Sequence, residues 1–355
     1  MLLTDGGRTA SAQDETVPGL FRPDTLTVVF MGDMMMHTAQ IEKARRKDGS
    51  YDFSSYFRLL EDDILSADLA VANMEFTLSG KPYSGYPCFS APDSYARYLA
   101  DVGFDIFLAA NNHIFDMGGK GAERTVGIYR SMEDEGLIRM TGLAESPEDR
   151  LADTPLIVRR KGISLAFVNF TYGTNCGSGT HWPKTNYRGE ESFISSAMAR
   201  AEEKADYTIV LPHWGTEYEL THSQSQERTA QWLADNGADL IIGTHPHVVQ
   251  DTSRVKGIPV AYSLGNAVSN MSAANTQLEL MATLKIARKA NGDLEMLPLE
   301  LTWLWCSRPG GFGHDYTVIP VEKYIGRDSL WLGRWDYDKM LSTYERVRNK
   351  TGIIQ

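Results

Sequence analysis

Apolar and polar positions along this chain alternate in two rhythms. Short β-branched runs stop abruptly at polar clusters, as strands do on entering loops. "TLTVVF" leads to Gly32-Asp33, "DLAVANME" to Asn73-Met74-Glu75, and "GFDIFLAANNH" to Asn111-Asn112-His113. "YTIVLPHWG" ends at His213, and "ADLIIGTHPH" ends at His245 and His247. Between them, helical periodicity predicts helices over Thr38 to Lys47, Ser94 to Asp101, Lys120 to Glu133, Glu190 to Lys204 and Ser223 to Asn236. Such alternation implies a mostly parallel sheet covered by helices. "ISLAFVNF", "IPVAYSLG", "LELMATLKIAR" and "LEMLPLELTWLW" have little helix between them, and predict further antiparallel strands in a second sheet. "WDYDKMLSTYERVRNK" reads as a closing helix that starts near Asp336 or Asp338. Residues 1–23, polar and rich in Ser, Thr, Gly and Asp, read as a flexible tail; 24–320 read as a single domain and 321–355 as a helical extension.

Composition narrows the class. With 355 residues, 42% of them hydrophobic, and seven tryptophans and sixteen tyrosines, the chain can bury a large core and is not disordered. A net charge of −11 repels polyphosphate and argues against nucleic acid as a partner. Cys88, Cys176 and Cys306 lie far apart with no C-x-x-C, so no thiolate zinc site is suggested, and their odd number argues against a full disulfide framework. No apolar stretch reaches membrane-spanning length, and the first twenty residues lack the basic and apolar regions of an export signal. As written the chain reads as soluble, with its compartment open.

The chemistry lies at the strand ends. Ligand sites in open α/β sheets form at the carboxyl ends of parallel strands. There Asp33, Glu75, Asn112, His213, His245 and His247 would converge. Two carboxylates, an amide oxygen and three imidazoles make a mixed N/O set that suits Zn, Mn or Fe rather than Ca or Mg. Six ligands exceed one tetrahedral centre and suit two divalent ions about 4 Å apart, sharing a carboxylate. His245 and His247 are two residues apart, and in an extended segment they would point the same way. Pro246 would favour that conformation at His245.

The ordered motifs "GDMMMH", "NMEFTLSG", "AANNHIFDMG", "FTYGTN", "LPHWGTEYE", "IIGTHPHVVQ" and "AYSLGNAV" resemble those of CapA-type poly-γ-glutamate capsule synthesis proteins. That family is similar in fold to calcineurin-like metallophosphoesterases. The resemblance implies an α/β fold: a four-layer α-β-β-α sandwich with mixed sheets. It implies a metal-activated water attacking a phosphoester or a γ-glutamyl amide. Asp33 resembles the first-motif aspartate, Glu75 stands at the bridging carboxylate, and Asn112 and His213 resemble second-site ligands. His245 resembles a second-ion ligand, His247 a first-ion ligand, and His113 the histidine acid, with Asp116 to orient it. Two positions depart from the pattern: Met35 stands where a histidine is usual, and Glu75 where aspartate is. Either Asn73 or His37 could complete the first site. Asn73, Trp214, Glu217, Tyr172, Asn175 and Asn266 read as substrate-facing. The implied partners are an envelope polymer such as poly-γ-glutamate or a small phosphoester, with a membrane-bound capsule synthesis complex in a cell-envelope setting. The alternatives are a non-catalytic polymer-binding or export protein with a degraded site, and a general phosphoesterase.

Each residue also has a plainer reading. Asp33 could cap a helix. Asn111 reads as a turn residue, Asp116 equally as a turn former or a partner of His113, and Asn266 equally as a turn or site residue. The run Met34 to Met36 reads as core filling. His37, His181, His222 and His314 read as surface or loop residues. Tyr172, Trp182 and Tyr187 could bind a sugar or polymer, or cover a gap in the core. Arg22, Lys81, Lys184 and Arg188 are candidates for a basic rim.

Overall fold

A computed structural model describes residues 25–177 and 181–353; the predicted tail, Arg22 and the segment just before His181 lie outside them. The strands form two large sheets and one two-stranded ribbon. In the first sheet Thr25–Met34, Leu69–Met74, Ile106–Leu108 and Arg139–Thr141 run parallel. Leu278–Arg288 adds antiparallel to Thr25–Met34, followed by Glu300–Ser307 and Thr317–Pro320. The second sheet is built on Ile163–Thr171, Tyr207–His213, Leu240–Ile242 and Ile258–Ala261, all parallel, with antiparallel edges Leu156–Arg160 and Thr252–Val255. The parallel strands are thus divided between two sheets. "ISLAFVNF" and "IPVAYSLG" join the parallel set rather than the expected antiparallel one.

Side-chain alternation explains why the sheets stack. Leu26, Val28 and Phe30 of the first sheet face one core together with Leu165, Phe167, Ile209, Leu211, Leu240 and Ile242 of the second. The intervening Val29 and Met31 face another core, shared with the helices Asp93–Val102 and Gly118–Asp134. Val168, Val210 and Ile241 face a third, shared with the helices Glu191–Lys204 and Gln224–Asp235. Period-two strands with both faces apolar demand this helix–sheet–sheet–helix layering. The helix Arg334–Thr351 packs Tyr337, Met340, Tyr344 and Val347 into the inter-sheet core. Met34, Met35 and Met36 are core residues, as expected.

Where the sheets meet, backbone touches backbone. Pairing of Thr25–Met34 with Leu69–Met74 slips between Met31 and Asp33, so Gly32 is a bulge that re-aims Asp33. A Cβ on Gly32 would lie 1.9 Å from the Gly265 carbonyl oxygen, so no larger residue fits. Asp33 donates its N–H to that oxygen at 3.0 Å and accepts from Ala267 N–H at 3.0 Å. The segment after Ile258–Ala261 therefore splices the second sheet onto the first beside Asp33.

Candidate metal centre

The structure brings all six expected ligands together. Asp33, Glu75 and His213 offer donor atoms within 4.8 Å of one another, and so do Glu75, His245 and His247. Glu75 is common to both groups, the place of a shared carboxylate. This grouping keeps His245 and His247 together, whereas the resemblance divides them between ions. Asn112 adjoins the first group, with Oδ1 2.8 Å from His213 Nε2. The residues arrive from both sheets, at the carboxyl ends of the parallel strands Thr25–Met34, Leu69–Met74, Ile106–Leu108, Tyr207–His213 and Leu240–Ile242.

Three imidazoles are held in one manner. A side-chain oxygen fixes each Nδ1: Asp116 at 2.7 Å for His113, Thr244 at 2.9 Å for His213, and Asn266 at 2.9 Å for His247. Each Nε2 then lies near Glu75 Oε1, at 3.8, 3.8 and 3.7 Å respectively. These separations are too long for hydrogen bonds. For His213 and His247, which belong to the ligand groups, they are close to the roughly 3.4 Å expected between ligand atoms around a tetrahedral ion with 2.0–2.2 Å bonds. Both Glu75 oxygens and His245 Nδ1 have no hydrogen-bond partner, although Glu75 is wholly buried. Buried polar atoms without partners are rare and costly, more so for a carboxylate. The donor set fits a transition metal in composition, spacing and unmet valence.

The electrostatics agree. Burial, with the Asp33 charge beside it, drives the Glu75 carboxyl well above its usual range. Burial also acts on Asp33, but His247, His213 and Asn73 outweigh it and hold that carboxyl well below the usual range. Burial brings His213 down to about 3 and His245 well below its ordinary value, so both are neutral imidazoles able to ligate.

Several expectations are corrected. His245 and His247 do not converge through an extended pleat: the strand ends at Ile242, and both have left-handed backbones, with φ of 99° and 58°. Such angles are strained for residues other than glycine and cluster at functional sites. Trp214 packs among core residues and donates Nε1–H to Tyr262 O at 2.9 Å, so it is a structural residue. Asn73 donates to Asp33 Oδ1 at 2.7 Å and orients the carboxylate; it is too buried to meet substrate. Asn266 orients His247. His37 is the N-cap residue of the helix Thr38–Ala44, its Nδ1 accepts from the Asn270 N–H at 3.2 Å, and it joins neither ligand group. Met35, the departure from the usual histidine, is buried in the core. Tyr172, Asn175 and Glu217 are exposed beside the cluster, with the Tyr172 ring centroid 4.5 Å from that of His245 and Asn175 Nδ2 3.4 Å from His113.

With this geometry in place, the comparisons become informative. Residues 27–271 match the family model described as bacterial capsule synthesis protein PGA_cap. The chain belongs to this family. It is 26% identical over 310 residues to the PGA biosynthesis protein CapA of Bacillus subtilis (strain 168), covering 85% of this chain and 76% of that relative. The capsule biosynthesis protein CapA of Bacillus anthracis is 25% identical over 289 residues, covering 78% and 68%. Among solved structures, a Staphylococcus aureus protein assigned as a 5'-nucleotidase aligns with 78% of this chain at a TM-score of 0.50 and 14% identity. This chain spans about half of that longer protein, 54%. The likeness concerns the fold alone, the helix–sheet–sheet–helix layering of this PGA_cap member. Among the described residues, no helix is long and apolar enough to cross a membrane.

One buried acid escaped the sequence reading. Glu279 lies within the apolar strand Leu278–Arg288, and its Oε1 accepts from the bulged Gly32 N–H at 3.0 Å. A single acid inside "LELMATLKI" was the available signal. Glu279 fixes the bulge that aims Asp33, so Glu279→Leu is expected to weaken Mn²⁺ binding about tenfold, by analogy with other residues that orient ligands. Glu279→Gln, which keeps an acceptor, should retain most of the affinity. Calorimetric Mn²⁺ titration compares them, and equal losses in both variants would deny Glu279 this role.

Proposed function

We propose that this chain is a metal-dependent hydrolase of capsule or envelope polymer biosynthesis, acting on a phosphoester or a γ-glutamyl amide. The observation that carries the reading is Glu75: a wholly buried carboxylate with both oxygens unpartnered, facing three anchored imidazole nitrogens. A polymer-binding protein with a degraded site has no reason to keep that arrangement. The two departures from the superfamily pattern leave it whole, since Met35 sits in the core and Glu75 belongs to both ligand groups.

Asp33, Glu75, Asn112 and His213 would hold one ion, and Glu75, His245 and His247 the other. Bound there, divalent Mn, Zn or Fe would supply an activated water and stabilise negative charge on the electrophile. The protein's own residues do the rest. Asn73, Thr244 and Asn266 lock Asp33, His213 and His247 in orientation. Asp116 also accepts the Phe89 N–H at 2.8 Å, so the His113–Asp116 pair is fixed to the backbone. A proton carried on His113 Nε2 is placed to pass to a leaving group. Asn175 Nδ2 lies 3.4 Å from both nitrogens of the same imidazole.

Metal analysis and turnover together test this. Protein purified without chelator is expected to carry Mn, Zn or Fe and to hydrolyse bis(p-nitrophenyl) phosphate or γ-glutamyl oligomers. EDTA should abolish turnover and lower stability by about 2.7 kcal/mol if the ion was present at a hundred times its Kd. Protein that takes up no transition metal under loading conditions, and turns over neither substrate, would refute the reading.

A further inference from the structure

The chain has sixteen tyrosines, and three of them are exposed: Tyr86 at 75%, Tyr172 at 48% and Tyr218 at 43%. All three stand at the mouth of the metal centre. Tyr172 lies on His245, with ring centroids 4.5 Å apart, and Tyr218 lies 6.4 Å from His247. Tyr86 adjoins Phe89 at 6.4 Å, and Phe89 packs edge-on against His113 at 4.7 Å. Tyr172 and Tyr218 therefore lie against the two closing histidines, and Tyr86 stands one ring beyond His113.

Rigid backbone presents each of them. Tyr172 donates its N–H to His213 O and Tyr218 to Pro246 O, both at 2.9 Å. Tyr218 is held at φ 67°, a left-handed conformation that a bulky residue adopts only under constraint. Around Tyr86, Ser84 and Ser90 exchange backbone hydrogen bonds of 3.0 and 2.8 Å, and Phe89 N–H is tied to Asp116. Gly85 crosses the start of the helix Thr38–Ala44 so closely that a Cβ would meet Thr38 N at 2.3 Å. Exposed aromatics on fixed supports cost free energy in water and little entropy on binding, the properties of a stacking platform.

The polar groups beside the rings narrow the ligand. Glu217, exposed and next to Tyr218, puts a carboxylate at this mouth. Of the expected basic rim, Arg188 lies 4.4 Å over Trp232 and bonds Glu191 at 2.7 Å, while Lys184 lies 5.4 Å over Trp182. The mouth is thus lined by tyrosine rings with one carboxylate acceptor beside them. It suits a neutral ring with hydroxyls on its edge and C–H groups on its face.

We propose that Tyr86, Tyr172 and Tyr218, with Glu217, form a saccharide subsite that holds a glycosyl unit of the substrate beside the metal centre. The tyrosines stack on the sugar faces, and Glu217 accepts from sugar hydroxyls. The subsite deepens the hydrolase reading and rests on it only for its proximity to the scissile bond.

Saturation-transfer NMR on the full chain tests it, with trisaccharides of glucose and of N-acetylglucosamine, tri-γ-glutamate and AMP as probes, before and after EDTA. At least one trisaccharide is expected to bind in both metal states. Tyr86→Ala and Tyr172→Ala should each weaken it roughly tenfold, the scale of one lost stacking contact. Tyr86→Trp should restore binding. Failure of both trisaccharides, or binding indifferent to these variants, would overturn the subsite. Tyrosine-dependent binding of AMP or tri-γ-glutamate in their place would also overturn it. Saccharide binding by a chain that takes up no metal would sink the hydrolase reading alone. Metal-dependent turnover without saccharide binding would sink the subsite alone.

Discussion

Glu75→Gln protein stripped of metal is expected to be more stable than the stripped parent chain, and metal addition should reverse the order. Glu75 is wholly buried, and neither oxygen has a hydrogen-bond partner. Without a cation, the folded chain must keep this carboxyl protonated or bury an unpaired charge. Burial and the Asp33 charge raise its folded pKa well above the ordinary value. The sign follows from linkage. A group whose pKa rises on folding contributes most below its unfolded value, and that contribution is lost as pH climbs through the folded value. Near neutral pH the stripped parent chain therefore bears a penalty that glutamine removes, of about 1–3 kcal/mol, or roughly 1–2 °C in Tm per kcal/mol for a chain of 355 residues. The gap should close as pH falls towards about 4.3, the ordinary glutamate value.

Metal supplies the opposite arm. Glu75 lies in both ligand groups, so its replacement disables both. The variant should show no Tm rise on adding Mn²⁺, against a gain of about 2.7 kcal/mol for the parent at a hundred times Kd. Scanning calorimetry at two pH values, with and without Mn²⁺, reads all four states. A stripped variant less stable than the stripped parent would mean that Glu75 has partners in solution, which would remove the principal argument for a metal there.

Those stability terms depend on convergence, and convergence was legible in the chain. Each ligand follows an apolar run, and parallel strands expose their carboxyl ends on one side. The division of the strands between two sheets was not legible, because an apolar run buried on both faces looks the same in either sheet. Whether "ISLAFVNF" pairs parallel or antiparallel depends on its neighbours, which periodicity does not encode. The left-handed turns at His245 and His247 escaped notice because such conformations are read from glycine or asparagine, and neither stands there. Trp214 was misread for a related reason: chain proximity to His213 suggested the site, whereas successive residues leave a strand on opposite faces. The exposed tyrosines were legible as residue types and not as a group, since Tyr86, Tyr172 and Tyr218 come from three separate loops. Only the tertiary contacts of His245, His247 and Phe89 place them around one mouth.

His113→Ala should separate chemistry from metal binding. His113 is in neither ligand group, so its loss should leave metal content unchanged. Turnover should fall by about 10²–10⁴-fold, the usual contribution of a positioned acid or base. The loss should depend on the leaving group. Nitrophenolate departs as a stable anion and needs little protonation, whereas an alkoxide or amide nitrogen needs a proton as the bond breaks. The variant should therefore retain much more of its activity on nitrophenyl phosphodiesters than on alkyl phosphodiesters or γ-glutamyl amides. Asp116→Asn should show the same ordering with a smaller loss, because it removes the carboxylate that fixes His113 Nδ1 at 2.7 Å but leaves the imidazole in place. The decrease should appear in kcat rather than KM, since a proton needed only as the bond breaks contributes nothing to ground-state binding. An equal loss on every leaving group, or loss of metal along with activity, would assign His113 to holding the ions instead, and the proton donor would have to be sought elsewhere in the cleft.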